Sequence, residues 1–150
     1  MPRSFQRRPD PPVAAPAAIL RIGVATADLA RLYPWLDAEA APRGVPAAVL
    51  GRMHVALEEA VANVAMHAYA PGEDGEITIR LLTSPDEAVL VIEDGGPEFD
   101  PTLAQPRPRA ARIEDARAGG LGLTLLRHFC GDIGYQRVDQ RNRLTLRFPT

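Results

Sequence analysis

Three stretches of this chain combine residue types at spacings that could do chemistry. In LEEAVANVAMHAY (57–69) a carboxylate, Glu59, and an amide, Asn63, stand four residues apart, with His67 four further on. On a helix that spacing stacks the side chains in one row. Asn is a poor mid-helix residue, because its side chain competes for backbone hydrogen bonds, and the chain has only two, Asn63 and Asn142. On a wheel of about 100° per residue, Leu50, Met53, Leu57, Ala60, Val61, Val64 and Ala68 share the apolar face. The Glu59–Asn63 row falls at the rim of that face, where it can overlook a cleft. His67 and His54 are assigned no role.

The second stretch is VIEDGGPEFDP (91–101). Asp94 stands just beyond the carboxyl end of an expected strand, and Gly95 and Gly96 let the backbone turn and approach a ligand closely. The third is AGGLGLTLL (118–126), with glycines at 119, 120 and 122 ahead of a helix. Unpaired N–H groups and the helix dipole there favour phosphate. It is not a P-loop, since no Gly-Lys-Ser/Thr follows, and it lacks the spaced third glycine and preceding strand of the dinucleotide fingerprint. Taken singly, each stretch has an ordinary explanation as well: a solvated helix rim, a strand-exit turn and a glycine-rich hinge.

The elements that must position these residues follow from periodicity and punctuation. AILRIGVA (18–25) alternates and is β-branched, which predicts a strand. TADLARLYPWLDAEAA (26–41) predicts a helix that Pro34 should kink or break. PRGVP (42–46) is a loop, and a second helix is expected from about Pro46 to Tyr69. After the turn at 70–76, EITIRLL (76–82) and EAVLVIED (87–94) form a hairpin through TSPD. The stretch from Gly95 to Gly120 is about twice the length at which an unstructured connection becomes unusual, which points to function. A helix over 121–131 and a closing hairpin, IGYQRVD with NRLTLRF, complete the chain, with QRN (140–142) near the turn. Helices and strands are partly segregated, which predicts an α+β two-layer sandwich rather than a doubly wound sheet.

At 150 residues the chain is expected to form a single domain over 18–150, long enough to bury a core. Residues 1–17, with five prolines and three arginines, read as a mobile tail. A net charge of -2 gives no reason to propose nucleic-acid or membrane binding. All 17 basic residues are arginine, so any basic side-chain contact to phosphate must come from Arg. Cys130 is the only cysteine, which excludes an intrachain disulfide and leaves a zinc site without thiolate pairs. No apolar run approaches the roughly 18 residues of a membrane span. Pro16 and Arg21 interrupt the faint signal-peptide pattern of residues 13–20, so a cytoplasmic protein is expected.

The combination is more specific than its parts. Acid-x3-Asn on a helix, Asp-x-Gly at a strand end, a long connection and Gly-x-Gly opening a helix occur here in that order. In EAVANVAMHAY, DGGPEFDP and GGLGLTLL the chain resembles the Bergerat-fold (GHKL) ATPases, which include gyrase, the large heat-shock chaperone, histidine kinases and the mismatch-repair ATPase. Within them it most resembles the stand-alone bacterial anti-sigma-factor serine/threonine kinases, over about residues 18–149. The resemblance implies a two-layer α/β sandwich whose mixed, mostly antiparallel sheet is covered on one face by helices. It implies ATP and Mg2+ as cofactors, with Asn63 as a magnesium ligand and Glu59, rather than the adjacent Glu58 turned about 100° away, as general base. It implies Asp94 as acceptor for the adenine amino group, Gly96 as the glycine that lets the base lie close, and residues 97–118 as the ATP lid. Gly120, Leu121 and Gly122 would offer N–H groups to phosphates, and Arg112 and Arg117 would be lid arginines, with Arg107 and Arg109 equally placed. Pro97 and Glu98 stand where many members have a further glycine, and Ala118 where a glycine often opens the second cluster. The implied function is phosphorylation of a serine on a small anti-anti-sigma (STAS-type) partner, with a sigma factor or equivalent regulator held in a partner switch, by a homodimer. The alternatives are a non-catalytic ATP-dependent holdase of the same fold and a detached histidine-kinase catalytic domain.

Overall fold

The computed structural model describes residues 16–70, 72–102 and 122–150, with the side chains of 122–125 outside that description. The elements run β1 (Ala18–Ile22), α1 (Thr26–Leu29), α2 (Leu32–Ala40), a single 3-10 turn (Ala41–Arg43), α3 (Ala47–His67), β2 (Ile77–Thr83), β3 (Glu87–Asp94), α4 (Gly122–Phe129), β4 (Asp132–Val138) and β5 (Arg141–Pro149). The strands make one sheet in the order β1-β2-β3-β5-β4, and all four pairings are antiparallel. The expected α+β sandwich is therefore present, with no parallel pair among the described strands.

Period-2 alternation decides which residues face the helices. Ala18, Leu20 and Ile22 of β1, Ile77, Ile79 and Leu81 of β2, Ala88, Leu90 and Ile92 of β3, and Leu144, Leu146 and Phe148 of β5 are buried on that face. Against them α3 buries Val49, Met53, Ala56, Leu57, Ala60 and Val61. Of the apolar stripe read from sequence, Leu50, Val64 and Ala68 are only half-buried, and the buried strip is displaced toward Val49 and Ala56. Helices α2 and α4 both pack on α3, which makes it the central beam of the helical layer. Truncating Leu57 or Met53 to Ala would cost about 2–5 kcal/mol.

The first helical segment breaks at Ala30–Arg31 instead of at Pro34, which occupies the first turn of α2. A proline is tolerated there because the first backbone N–H groups of a helix have no internal partner. The opposite face of the sheet carries charge. Glu93 lies between Arg80 and Arg143, with Arg80 Nη1 2.8 Å from Oε1 in a charge contact without hydrogen-bond alignment, and Arg143 Nη2 3.6 Å from Oε2. Arg147 Nη1 donates to Glu87 Oε1 at 2.7 Å. No helix among the described residues is long and apolar enough to cross a membrane.

Candidate nucleotide site

The site follows from where the apolar alternation stops. Asp94 occupies the next inward slot after Ala88, Leu90 and Ile92, and Asn142 occupies the slot before Leu144, Leu146 and Phe148. The register pairs Asp94 with Asn142, and Asn142 with Arg137 of β4. A transverse row of polar side chains thus ends the sheet on the helix-covered face. Asp94 and Asn142 are 4% and 6% exposed, so their polar atoms must find partners.

They do. Asp94 Oδ1 accepts the Gly96 N–H at 2.9 Å and Asn142 Nδ2 at 2.9 Å. The Gly96 bond is an Asx turn that folds the chain sharply away from the strand. Asp94 Oδ2 receives no hydrogen bond from the described residues and is not sealed from the cavity it borders. An acceptor oxygen is thereby left facing the cavity.

Helix α3 supplies the other wall. Asn63 and His67 line the cavity together with Ala60, Val64, Asp94 and Asn142. Glu59 lies one turn back from Asn63, half-buried, and neither side chain has a hydrogen-bond partner among the described residues. Glu58 is committed elsewhere: Tyr33 donates its hydroxyl to Glu58 Oε2 at 2.6 Å, which pushes the tyrosine up to about 12. Of the two adjacent glutamates, only Glu59 keeps its carboxyl group uncommitted.

The two walls are clamped where α3 ends. A Cβ on Gly96 would lie 2.6 Å from Ala68 Cβ and 2.7 Å from Ala68 O. A close approach that requires glycine is therefore made to the helix terminus, alongside the approach to a ligand expected from the sequence. Tyr69 closes the joint by accepting the Gly95 N–H at 2.9 Å and donating to Glu76 O at 2.9 Å. Its ring lies flat enough on Gly75 that any Cβ there would overlap it.

Over the mouth, the Phe99 ring stacks on His67 with centroids 5.9 Å apart and planes 27° from parallel. Under this cover the cavity is about 40 Å3. A larger cavity of about 470 Å3 lies at the other end of β3, bordered by Arg43, Pro46, Thr83, Ser84, Glu87 and Thr150. None of the residues singled out in the sequence is there, whereas Asn63 and Asp94 line the smaller one.

The structure brings together Asn63, Asp94 and Gly96, sets Glu59 one turn behind them, and starts α4 at Gly122. Arg112, Arg117, Gly120 and Leu121 lie outside the described residues, as do 103–118 of the expected lid. Sequence reasoning missed Asn142, Tyr69 and Phe99. Asn142 was detectable, as an amide in the inward slot of the alternating run NRLTLRF. Among the described residues no cluster of three His, Cys, Asp or Glu could hold a metal. The unpartnered Asn63 amide oxygen nevertheless suits Mg2+, which takes one or two protein oxygens and completes its shell with water and phosphate.

A fully antiparallel sheet backed by helices, with an aspartate at a strand end facing an asparagine on the central helix, defines a nucleotide-binding domain of the GHKL ATPase class. The chain belongs to the histidine kinase-like ATPase domain family, which it matches over residues 24–148. It is similar to the serine/threonine-protein kinase BtrW of Bordetella bronchiseptica, 43% identical over 89 residues, covering 59% of this chain and 63% of that protein. It is also similar to the serine-protein kinase RsbW of Bacillus pumilus, 32% identical over 90 residues, covering 56% of each chain. RsbW of Listeria monocytogenes is 35% identical over 85 residues, covering 54% of each chain. The matched part thus spans between about half and two thirds of these curated relatives.

Proposed function

We propose that this protein is an anti-sigma-factor-type serine kinase of the cytoplasm. It uses Mg·ATP to phosphorylate a serine on a small anti-anti-sigma (STAS-type) partner, and it sequesters a sigma factor or another regulator when that partner is scarce. One observation carries the reading: Glu59 and Asn63 form a row on α3 that leads into a cavity whose far wall is Asp94. The relatives' own names, serine and serine/threonine-protein kinases, agree with it.

In this reading Asp94 receives the adenine amino group on its uncommitted oxygen. Asn63 would hold Mg2+, which would supply charge neutralisation for the phosphates. Glu59 takes the proton from the serine hydroxyl as its oxygen bonds to the γ-phosphorus and the bond from that phosphorus to ADP breaks. Most of the acceleration in such transfers comes from positioning and electrostatics, with the base orienting the nucleophile. Gly120, Leu121 and Gly122 would offer backbone N–H groups to phosphate, and Arg112 and Arg117 would be the lid arginines, roles that the family resemblance implies. The homodimer forms through β1 and the first helices; β1 is an edge strand with Ile19 46% exposed, and an open edge is ready to pair.

A holdase of the same fold is the second reading, and the uncommitted Glu59 argues against it, because sequestration needs no base. The deciding experiment incubates extract of the source cells with γ-phosphate-labelled ATP and either wild type or Glu59→Ala. A small protein labelled on serine only by wild type is the expected result. If phosphatase-treated extract also yields no label from protein shown to bind Mg·ATP, the kinase reading falls and the holdase stands.

A further inference from the structure

Asn142 is the most connected polar side chain among the described residues, and both ends of its amide are used. Nδ2 donates to Asp94 Oδ1 at 2.9 Å and to Pro97 O at 2.8 Å. Oδ1 accepts the Tyr135 hydroxyl at 2.5 Å, Arg137 Nη1 at 3.0 Å and the Phe99 N–H at 3.3 Å. Arg137 Nη1 also donates to Gly96 O at 2.8 Å. The Nδ2 partners are acceptors and the Oδ1 partners donors, so the network fixes the amide orientation.

Beyond the direct Gly96 N–H bond to Asp94 Oδ1 at 2.9 Å, this network links two parts of the site through one side chain. One is the carboxyl of Asp94. The other is the backbone of 96–99, the root of the segment whose Phe99 covers the cavity. We infer that Asn142 is a positioning residue of the nucleotide site, whose amide ties the aim of Asp94 to the seat of the lid root. The inference rests on the nucleotide-binding reading of this site. Asn is required on chemical grounds. Asp cannot donate to Asp94 and Pro97 O, and Leu would leave buried donors and acceptors unmatched on both sides. Were residues 97–101 to move as a base enters, the bonds to Pro97 O and the Phe99 N–H would be the ones at stake. Those to Asp94, Tyr135 and Arg137 lie within the sheet and hold Asp94 in aim.

The near-isosteric variant Asn142→Asp isolates the donor end. It keeps an acceptor for Tyr135, Arg137 and the Phe99 N–H, and it sets a second carboxyl group against Asp94. Two carboxyl groups in contact share one proton at a raised pKa, so acidification restores a donor to Asp94. The other titratable groups around the pair are Arg137 and Tyr135 on β4, His67 on α3, and Glu98 and Asp100 on the lid root. They are the same in both proteins, and the wild-type profile removes their contribution.

The test is calorimetric titration of the full chain with Mg·ATP, wild type beside Asn142→Asp, at about pH 8 and about pH 5.5. The expected result is a Kd raised about 10- to 100-fold in the variant at the higher pH, as loss of buried donor bonds implies. The ratio of variant to wild type should shrink at the lower pH. An equal Kd at the higher pH, or a ratio indifferent to pH, overturns the inference. Wild type that takes up no Mg·ATP overturns the nucleotide reading itself, a different result. Should Asn142→Asp show no cooperative unfolding, Arg137→Leu on the exposed edge strand tests the same network. It should bind Mg·ATP about 3- to 10-fold more weakly with its unfolding midpoint kept, and unchanged affinity overturns the inference.

Discussion

Replacing Gly96 by alanine should damage fold and site together, and the size of the effect can be worked from three distances. The added Cβ would meet Ala68 Cβ at 2.6 Å, its carbonyl oxygen at 2.7 Å and its Cα at 2.8 Å. Two of the three are backbone atoms of the residue that caps α3, so no rotamer change relieves the overlap. Gly96 does not have a positive φ, so alanine is opposed by space and not by backbone conformation. The turn must then move off the helix end by several tenths of an ångström, carrying the Gly96 N–H away from Asp94 Oδ1. Overpacking of this kind costs about 1–3 kcal/mol. For a chain of this size that lowers Tm by roughly 2–12 °C, at about 2–4 °C per kcal/mol. Thermal unfolding and Mg·ATP titration, run on one preparation, read both consequences. The double variant Gly96→Ala/Ala68→Gly removes one of the three overlaps and should recover part of the loss, as expected for residues in direct contact. A Gly96→Ala protein with wild-type Tm and wild-type affinity would refute the steric argument.

Five further outcomes are expected. Asn63→Ala should lose Mg-dependent nucleotide binding, whereas Glu59→Ala should bind Mg·ATP and transfer nothing; wild-type transfer by Glu59→Ala would remove it as the base. Asp94→Asn should lose the preference for ATP over GTP in competition binding, and an unchanged preference would contradict its role. Phe99→Ala should speed nucleotide association in stopped flow by opening the mouth that Phe99 and His67 cover, and an unaltered association rate would show that the ring is no barrier. Burial pushes the Cys130 thiol up to about 12, so at about pH 8 the native protein should react slowly with a disulfide reagent and the unfolded chain quickly. Prompt native labelling would contradict that burial.

The parts legible in the sequence are those with a clean period. The strand 87–94 is found at its expected bounds, and α3 is read to within two residues at each end, because an amphipathic run bounded by a proline and a glycine-rich turn has one interpretation. Pro34 misled, because the rule that proline breaks helices says nothing about a helix that starts two residues before it. The last hairpin was read closely: its turn is Asp139–Gln140, both at positive φ, where QRN is expected near the turn, and Asn142 opens the expected strand NRLTLRF within β5. Asp94 was legible through its glycines. Asn142, which has none, was legible only through the row it interrupts. Tyr69 and Phe99 had no local signal at all, since a tyrosine closing a helix and a phenylalanine after a turn are ordinary until the two segments are brought together.

That meeting explains why the site tolerates so little slack. Helix α3 carries Glu59 and Asn63 in its fourth and fifth turns, and it grips the Asp94–Gly96 turn with Ala68 and Tyr69 at its end. A rigid helix rises about 1.5 Å per residue, so the separation between the base-recognising end and the phosphate end is set by residue count along one element. Side chains on a packed helix are also held more tightly than side chains on loops. The sheet contributes the complementary restraint, because Asp94 and Asn142 are fixed by strand register and cannot slip without turning a whole apolar row to solvent. Residues 96–102 are tied to the sheet through Asn142 and Arg137, to α3 through the Phe99–His67 stack, and to α4 through the Arg127 Nη2 bond to Thr102 O at 3.0 Å. In the proposed reading, nucleotide would enter past that segment while Asp94, Asn63 and Glu59 keep their places on the sheet and α3.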